Sequence, residues 1–205
     1  MEEWENSELE QNAAAEPEEQ PEQAEATPKK GKKYLVWLLE LVLPLLLVLF
    51  LNTVVFRLVI VDGNSMYPSL HDRDFLVVRR IAYTPKQGDV VVIQTDPEVR
   101  LGGRQLIKRV IAVAGQTVFV DYGNNTVTVD GRILNETYIN LEEEDPMDGA
   151  MYENTAYVVP EGHIFVLGDN RNHSEDSRSE ELGMVSEEAV VGGVWLHLST
   201  GQWFQ

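Results

Sequence analysis

A serine in a tight turn is the first feature of this chain that could support nucleophilic chemistry. The segment VDGNSMYPSL (61–70) follows an apolar run and contains Gly63, Ser65 and Pro68. Glycine adopts backbone angles that are closed to other residues, and proline stiffens the chain that follows it. The segment can therefore present Ser65 on a tight turn with its backbone N–H free. An ordinary Ser-containing β-turn accounts for the same residues, and the segment is not a GxSxG elbow.

A lysine in an apolar run is the candidate base for this serine. Lysine acts as a base only when its amine is neutral, which requires desolvation in an apolar pocket. After residue 56 the chain has two lysines, Lys86 in the polar turn TPKQGD and Lys108 in RQLIKRVIAVAG. Lys108 is the better candidate, although a lysine in such a strand also fits a solvent-facing position. None of the four histidines stands in a recognisable triad arrangement.

A polar loop near the C-terminus could support these two residues. It lies in VLGDNRNHSEDSRSEELGMV (166–185), directly after an apolar run. Asp176 and Arg178 could form an ion pair, and the hydroxyl of Ser174 could orient a neutral lysine amine. A solvated surface turn explains the same composition. The stretch HSED suggests a Ser-His-Asp triad, but neighbours on one short loop rarely converge on one another.

Composition excludes several other kinds of site. The chain has no cysteine, which excludes disulfides, thiolate catalysis and Cys-based zinc sites. No two histidines are spaced i,i+4, so there is no HExxH metal helix, and we expect no metal and no cofactor. The net charge is −18, and residues 57–205 contain 12 basic and 23 acidic residues. Because an acidic domain repels phosphate backbones, we expect no nucleic-acid partner.

The N-terminal part predicts a tail and a membrane anchor. Residues 1–28 contain ten Glu and no Lys or Arg, and we interpret them as a disordered, solvating tail. Residues 34–56 form an apolar run long enough to cross a bilayer as a helix. Glu40 within it can reach the interface or mark a functional intramembrane site. The KKGKK cluster places residues 1–33 in the cytosol, which leaves residues 57–205 as one extracytoplasmic domain.

The remaining residues are typical of β structure. Short apolar or alternating runs lie between turn residues, and Asp130-Gly131 between TVTV and RIL predicts a tight hairpin. SEEAV (186–190) predicts a short helical turn capped by Ser186, and residues 140–154 an exposed loop. We therefore predict a mainly β fold with antiparallel sheets and one N-terminal transmembrane helix. The strands are predicted at 57–61, 75–81, 89–93, 105–113, 117–120, 126–134, 163–168 and 190–198.

Four segments in this order behind one anchor resemble the conserved boxes of type I signal peptidases, and the short middle region resembles the compact Gram-positive-type members. The segments are SMYP (65–68), GDVVVI (88–93), KRVIAVAGQTV (108–118) and GDNRNHSEDSR (168–178). The resemblance implies that Ser65 attacks the scissile carbonyl to form an acyl-enzyme. It also implies that Lys108 takes the serine proton and activates the deacylating water, and that Ser174 holds the lysine amine. Asp169, Asp176, Arg178 and Arg109 match supporting residues, Met66 a residue near the substrate pocket, and Pro68 a residue that shapes the turn.

The same resemblance implies a substrate and a location. Relatives cleave signal peptides from exported preproteins after a small residue, and an apolar surface of their largely β domain lies on the bilayer. We thus expect a single-pass protein of the cell membrane with a cytoplasmic N-terminus, near the secretion translocon. One position departs from some relatives, because Gly63 stands where they have a serine that contributes to the oxyanion hole. The hole would then depend on backbone N–H groups, with that of Ser65 the first candidate.

Two other functions fit part of the pattern. A LexA-like Ser-Lys autoprotease shares a serine turn and a strand lysine, but such proteins are cytosolic and the predicted anchor argues against one. A non-catalytic, membrane-tethered binding or assembly factor could keep the fold. Loss of Ser65 or Lys108 would indicate such a factor, and both are present.

Overall fold

The computed structural model describes residues 30–98, 101–139, 147 and 154–204, without the side chains of residues 30–32 and 52. The predicted disordered tail lies outside these residues, and so does the predicted 140–154 loop except for Met147 and Asn154. The chain divides into two compact units, with the boundary between Leu43 and Pro44.

One long apolar helix begins the described chain. Helix α1 covers Lys30–Phe50 and continues as a π-helical turn over Leu51–Val55. Among the described residues, the 23 residues Lys33–Val55 form the one helix that is long and apolar enough to cross a membrane. The hydroxyl of Thr53 donates to the carbonyl of Leu49 at 2.8 Å, which satisfies this polar group within the helix itself.

After the helix, the described residues form twelve strands in two antiparallel sheets, which confirms the predicted fold class. The larger sheet has the order β1-β2-β11-β3-β4-β9-β10, with β12 paired to β11, and the smaller has the order β7-β6-β5-β8. The strands are β1 Phe56–Ile60, β2 Phe75–Arg79, β3 Val90–Gln94, β4 Gln105–Val113, β5 Thr117–Asp121, β6 Thr126–Val129, β7 Arg132–Ile133, β8 Thr155–Val158, β9 His163–Leu167, β10 Val185–Ser186, β11 Val190–His197 and β12 Gln202–Trp203.

The centre of the larger sheet is covered on both faces. In β3, Val90 and Val92 pack into one buried cluster, whereas Val91 and Ile93 pack into another. Successive side chains of a strand point to opposite faces, so a strand that is buried on both faces must be apolar throughout. The neighbouring β4 carries Lys108 in this same covered region, opposite Val91 in the register. Lys108 therefore lies in the interior of the domain.

Local sequence signals account for several turns. Asp130 and Gly131 both have positive φ (51° and 76°), which confirms the predicted tight hairpin between β6 and β7. A 3₁₀ turn over Glu187–Ala189 confirms the predicted helical turn, and the Ser186 hydroxyl accepts from the N–H of Glu188. The strands β8, β10 and β12 were not predicted. Of these, β10 and β12 have only two residues each, which is too short for a hydrophobic periodicity. They are strands because β10 pairs with β9 and β12 pairs with β11.

The close approach of β11 to β2 requires a glycine. A Cβ atom at Gly192 would overlap the backbone carbonyl oxygen of Arg79, which cannot rotate away. We expect Gly192→Ala to lower the free energy of unfolding by about 1–3 kcal/mol, measured by urea unfolding in detergent. Gly123→Ala is the matched control, because its nearest neighbour would be an Asp121 carboxylate oxygen at 3.4 Å. Equal unfolding midpoints for the two variants would contradict this packing.

Candidate active site

The turn that carries Ser65 is closed at its base and anchored in the core. Residues 61–74 connect β1 to β2. At the base, the N–H of Val61 donates to the carbonyl of Asp74, and the N–H of Arg73 donates to that of Val61, each at 2.9 Å. Met66 and Leu70 are buried in the same apolar cluster as β2 and β3. The turn is therefore fixed by hydrogen bonds at its base and by packing of the residues that follow Ser65.

Gly63 and Ser65 have different backbone environments within this turn. Gly63 has φ of 92°, a conformation that other residues rarely adopt. Its N–H donates to Oδ1 of Asp72 at 2.9 Å, so this donor is already used. The N–H of Ser65 has no acceptor in the part of the chain that the structure describes. Ser65 therefore has a backbone donor available to a ligand, whereas Gly63 does not.

Ser65 and Lys108 are brought together from positions 43 residues apart. The Nζ atom of Lys108 lies 2.9 Å from Oγ of Ser65 and also donates to the carbonyl of Ile107 at 3.1 Å. Lys108 is only 2% exposed. When the amine is neutral, the same geometry lets the serine hydroxyl donate its proton towards Nζ. The arrangement is that of a nucleophile within hydrogen-bond reach of its base.

The burial of Lys108 makes its amine easier to deprotonate. Burial lowers the pKa of Lys108 to about 8, because a charged amine loses its hydration inside the protein. The carboxylates of Asp176, Glu175 and Asp169 act in the opposite direction, since they stabilise the protonated form. Desolvation is the larger effect, so about a tenth of the amine is neutral at pH 7, far more than for an ordinary lysine.

Asp169 is held by a bidentate ion pair with Arg109. The Nε and Nη2 atoms of Arg109 donate to the two oxygens of Asp169 at 2.8 and 2.6 Å. Arg109 also donates to the carbonyl of Gly88 at 2.9 Å, and its guanidinium lies 3.9 Å from the ring centroid of Tyr138. Both partners are buried. Because Arg109 follows Lys108 in β4, this pair joins the lysine strand to the 168–178 loop.

A second buried ion pair joins Asp176 and Arg178. Arg178 donates from Nε and Nη2 to the two carboxylate oxygens at 2.8 and 2.9 Å. Asp176 also accepts from the N–H of Gly168 at 3.0 Å. The N–H of Val166 donates to the hydroxyl of Ser177 at 3.0 Å. These contacts fold the loop back onto the end of β9.

Asn170 connects this loop directly to the serine turn. Its N–H donates to the carbonyl of Ser65, and its Nδ2 donates to the carbonyl of Asn64, each at 3.1 Å. The neighbouring Gly168 has no room for a side chain, because a Cβ atom there would overlap Ser174 Oγ and lie 2.5 Å from the carbonyl oxygen of Ser65. No local pattern singles out Asn170, because its contacts are with main-chain atoms of a segment more than 100 residues away in sequence.

Ser174 lies close to the site, but without the contact implied by the resemblance. Its Oγ atom is buried and has no hydrogen-bond partner among the described residues. The two acceptors of the Lys108 amine are Ser65 Oγ and the carbonyl of Ile107. The role of Ser174 in holding the amine therefore stays a prediction. The same is true of Met66, which is 1% exposed, and of Pro68, which lies at the exposed surface of the turn.

A third buried ion pair was not predicted from the sequence. Arg171 binds the carboxylate of Glu136, and its Nε donates to the carbonyl of Gly168 at 3.1 Å. The hydroxyl of Tyr138 donates to the same carboxylate at 3.0 Å. Glu136 is separated from Arg171 by 35 residues, and no local pattern relates them.

Among the described residues, no group of three or more His, Asp or Glu side chains is arranged to hold a metal ion.

Comparisons with known proteins agree with one another. A family model described as "Signal peptidase, peptidase S26" matches residues 34–198. Signal peptidase I T of Bacillus subtilis is 34% identical over 170 residues, which cover 80% of this chain and 84% of the relative. Signal peptidase I of Bacillus amyloliquefaciens is 32% identical over 181 residues, which cover 85% and 90%. Probable signal peptidase I-1 of Synechocystis is 36% identical over 162 residues, which cover 73% and 77%.

A solved structure is also similar to this chain. It is the crystal structure of a signal peptidase I from Enterococcus faecalis, with 27% sequence identity and a TM-score of 0.43. The match covers 54% of this chain and 96% of that one.

The Asp176–Arg178 pair is expected to be important for stability. Asp176→Asn leaves the Arg178 charge buried without a counter-charge, so we expect the free energy of unfolding to fall by about 3–5 kcal/mol in urea unfolding. Arg73→Gln is the control, because the Arg73–Asp72 pair is 3.7 Å apart and Arg73 is 90% exposed. We expect that variant to change the free energy by no more than about 1 kcal/mol. Similar small effects in both variants would show that the buried pair does not stabilise the loop.

Proposed function

The chain belongs to the S26 signal peptidase family, and from this premise we propose that Ser65 and Lys108 are the catalytic dyad of a membrane-anchored serine endopeptidase. Its substrates in this proposal are exported preproteins, from which it removes the N-terminal signal peptide. The observation that carries the proposal is the 2.9 Å separation between Lys108 Nζ and Ser65 Oγ, with the lysine buried. Both residues lie within the 34–198 range that matches the family.

The proposed reaction proceeds through an ester acyl-enzyme. Neutral Lys108 accepts the hydroxyl proton as Ser65 Oγ attacks the scissile carbonyl carbon, which gives a tetrahedral oxyanion. Collapse of this intermediate breaks the C–N bond, and the lysine ammonium returns its proton to the departing amine. Lys108 then takes a proton from a water molecule that attacks the ester. The second collapse breaks the ester C–O bond and releases the signal peptide with a new carboxylate. The Lys108 ammonium gives the proton that it took from water to Ser65 Oγ, which restores the hydroxyl and the neutral amine.

The oxyanion is proposed to bind the backbone N–H of Ser65. This N–H has no acceptor among the described residues, whereas that of Gly63 is bonded to Asp72. A serine at position 63 would be strained in the present conformation, since φ there is 92°. A single oxyanion donor contributes about 10²–10³ in rate, so a backbone donor at Ser65 would supply much of what Gly63 cannot.

The three buried ion pairs are proposed to position the dyad rather than to react. Arg109 and Asp169 join the lysine strand to the 168–178 loop, and Asn170 joins that loop to the Ser65 turn. Ser174 is proposed to hold the lysine amine once a substrate is bound. The Asp176–Arg178 pair fixes the shape of the loop between these residues.

The membrane arrangement is also part of the proposal. The apolar helix Lys33–Val55 would cross the bilayer once, with residues 1–33 in the cytosol and residues 57–205 beyond the membrane near the secretion translocon. Ser65 follows Phe56 by nine residues, which reach only about 30 Å when fully extended. Leu58, Ile60 and Phe75 are 49–58% exposed on one face of β1 and β2, and this apolar face would lie on the bilayer.

Substitution of either dyad residue should abolish cleavage. We expect Ser65→Ala and Lys108→Ala each to reduce preprotein cleavage by at least about 10³-fold in detergent, because each removes one half of the nucleophile–base pair. Lys86→Ala is the matched control and should retain full activity, since Lys86 is exposed and is the only other lysine after residue 56. Near-normal cleavage by folded Ser65→Ala or Lys108→Ala would contradict the proposed dyad.

Cleavage should depend on the protonation of Lys108. The pKa of Lys108 is lowered to about 8, so the free base is the minor form below pH 8 and the major form above it. We expect kcat/KM to rise about tenfold per pH unit from pH 6 to pH 7 and to level off above pH 8. A profile that stays flat between pH 6 and pH 9, with the chemical step rate-limiting, would exclude Lys108 as the base.

A further inference from the structure

Three arginines lie where the apolar helix ends. Arg57 is two residues after Val55, the last residue of the apolar span. Arg79 pairs with Phe56 in the register of β1 and β2. The backbone N–H of Arg80 donates to the carbonyl of Val55 at 3.0 Å, and its Nη1 donates to the carbonyl of Thr53 at 2.8 Å. The fold therefore brings three positive charges close to the end of the apolar helix, although Arg79 is the last residue of β2 and Arg80 follows that strand.

These charges are not neutralised within the described part of the chain. Arg57, Arg79 and Arg80 are all exposed, and none of them forms an ion pair with a described carboxylate. Arg79 lines a cavity of about 210 Å³ together with Asp89. Oδ2 of that carboxylate already accepts from the hydroxyl of Tyr83 at 2.8 Å and from the N–H of Lys86 at 3.0 Å. The three exposed arginines are here called the arginine patch. Arg57 pairs with Val78 and Arg79 pairs with Phe56, so these two side chains leave opposite faces of the sheet, and the patch is a group of positive charges around the end of the apolar helix.

The position of this arginine patch coincides with the level of lipid phosphates. A bilayer has a hydrocarbon core of about 30 Å and a total thickness of about 40–45 Å, so the headgroup layer starts where the apolar span ends. The guanidinium of Arg80 is hydrogen-bonded to the last turn of that span. A guanidinium has five N–H donors and binds the oxygens of a phosphodiester. Arg79 already donates to the carbonyls of Ile81 and Ala82 at 3.2 and 3.1 Å, so its remaining N–H groups would bind the phosphate.

Aromatic side chains near the arginine patch also indicate a position at the level of the lipid headgroups. Trp195 stacks on Phe56 with ring centroids 5.0 Å apart, and Trp203 contacts Trp195 at 4.7 Å. Trp195 and Trp203 are 38% and 56% exposed. Tryptophan is enriched at the headgroup level of membranes, because its ring is apolar with a polar N–H. This neighbourhood favours a lipid headgroup over free phosphate.

We infer that Arg57, Arg79 and Arg80 bind the phosphates of anionic phospholipids in the leaflet next to the catalytic domain. This inference rests on the membrane anchor of the proposed function. Residues 57–205 carry 12 basic and 23 acidic residues and would be repelled by an anionic bilayer. The arginine patch offsets that repulsion where the domain joins the apolar helix. Arg79 and Arg80 are more than 20 residues beyond the span, so they lie outside the segment whose charges determine membrane orientation.

The affinity for an anionic lipid can be measured in a variant that lacks the proposed nucleophile. Dihexanoyl phosphatidylglycerol is titrated into the detergent-solubilised full chain carrying Ser65→Ala, and binding is followed by tryptophan fluorescence. We expect Arg57→Gln/Arg79→Gln to weaken binding about fivefold per arginine, the effect of one basic residue at an anionic surface. The control Arg104→Gln/Arg132→Gln removes two exposed arginines elsewhere and should bind like the parent. Arg57→Lys/Arg79→Lys keeps the charge and should retain most of the affinity.

Two further ligands identify the source of the phosphate. Dihexanoyl phosphatidylcholine, whose headgroup has no net charge, should bind more weakly than phosphatidylglycerol. Inorganic phosphate at the same concentration should not displace phosphatidylglycerol. Equal binding of the two lipids, displacement by inorganic phosphate, or an equal loss in the control pair would overturn the inference. Because Ser65→Ala removes the nucleophile, these results do not depend on whether the chain cleaves preproteins.

Discussion

The burial of one amine is the constraint on which the rest of this structure depends. Lys108 can serve as a base only without its proton, and removal from water is what lowers its pKa to about 8. This explains its position in β4, near the centre of a sheet whose faces are both covered. A lysine at the rim of the sheet would be hydrated and charged. The same packing that stabilises the fold therefore also lowers the pKa of the proposed base.

The ion pairs around Lys108 affect its pKa as well as the geometry of the site. Asp169 and Asp176 both raise the pKa of Lys108 by attracting its proton. Each of them forms a bidentate pair with an arginine, Arg109 and Arg178 respectively. A nearby positive charge offsets the attraction that a lone carboxylate would exert on the ammonium. The arginines thus limit how far the carboxylates of this loop raise the pKa of Lys108.

Much of this could be predicted from the sequence, because the signals are local. Apolar runs predict the long strands, Asp130-Gly131 predicts the hairpin, and the shortage of lysines draws attention to Lys108. What could not be predicted depends on contacts between distant segments. The Glu136–Arg171 pair and the bonds of Asn170 to the Ser65 turn join residues that are far apart in sequence. No residue spacing in the chain indicates them. The same reason explains why β10 and β12, with two residues each, were not predicted.

If Lys108 is the base, its amine must lose its proton far more readily than an ordinary lysine before any substrate binds. The pKa can be measured by NMR titration of the full chain labelled with ¹³Cε-lysine, with the Lys108 signal assigned by its loss in Lys108→Ala. We expect this signal to titrate with a pKa of about 8, against an ordinary value of 10.5. A Lys108 signal that titrates above pH 10 would contradict the account, because the amine would then be charged at working pH and unable to accept the serine proton.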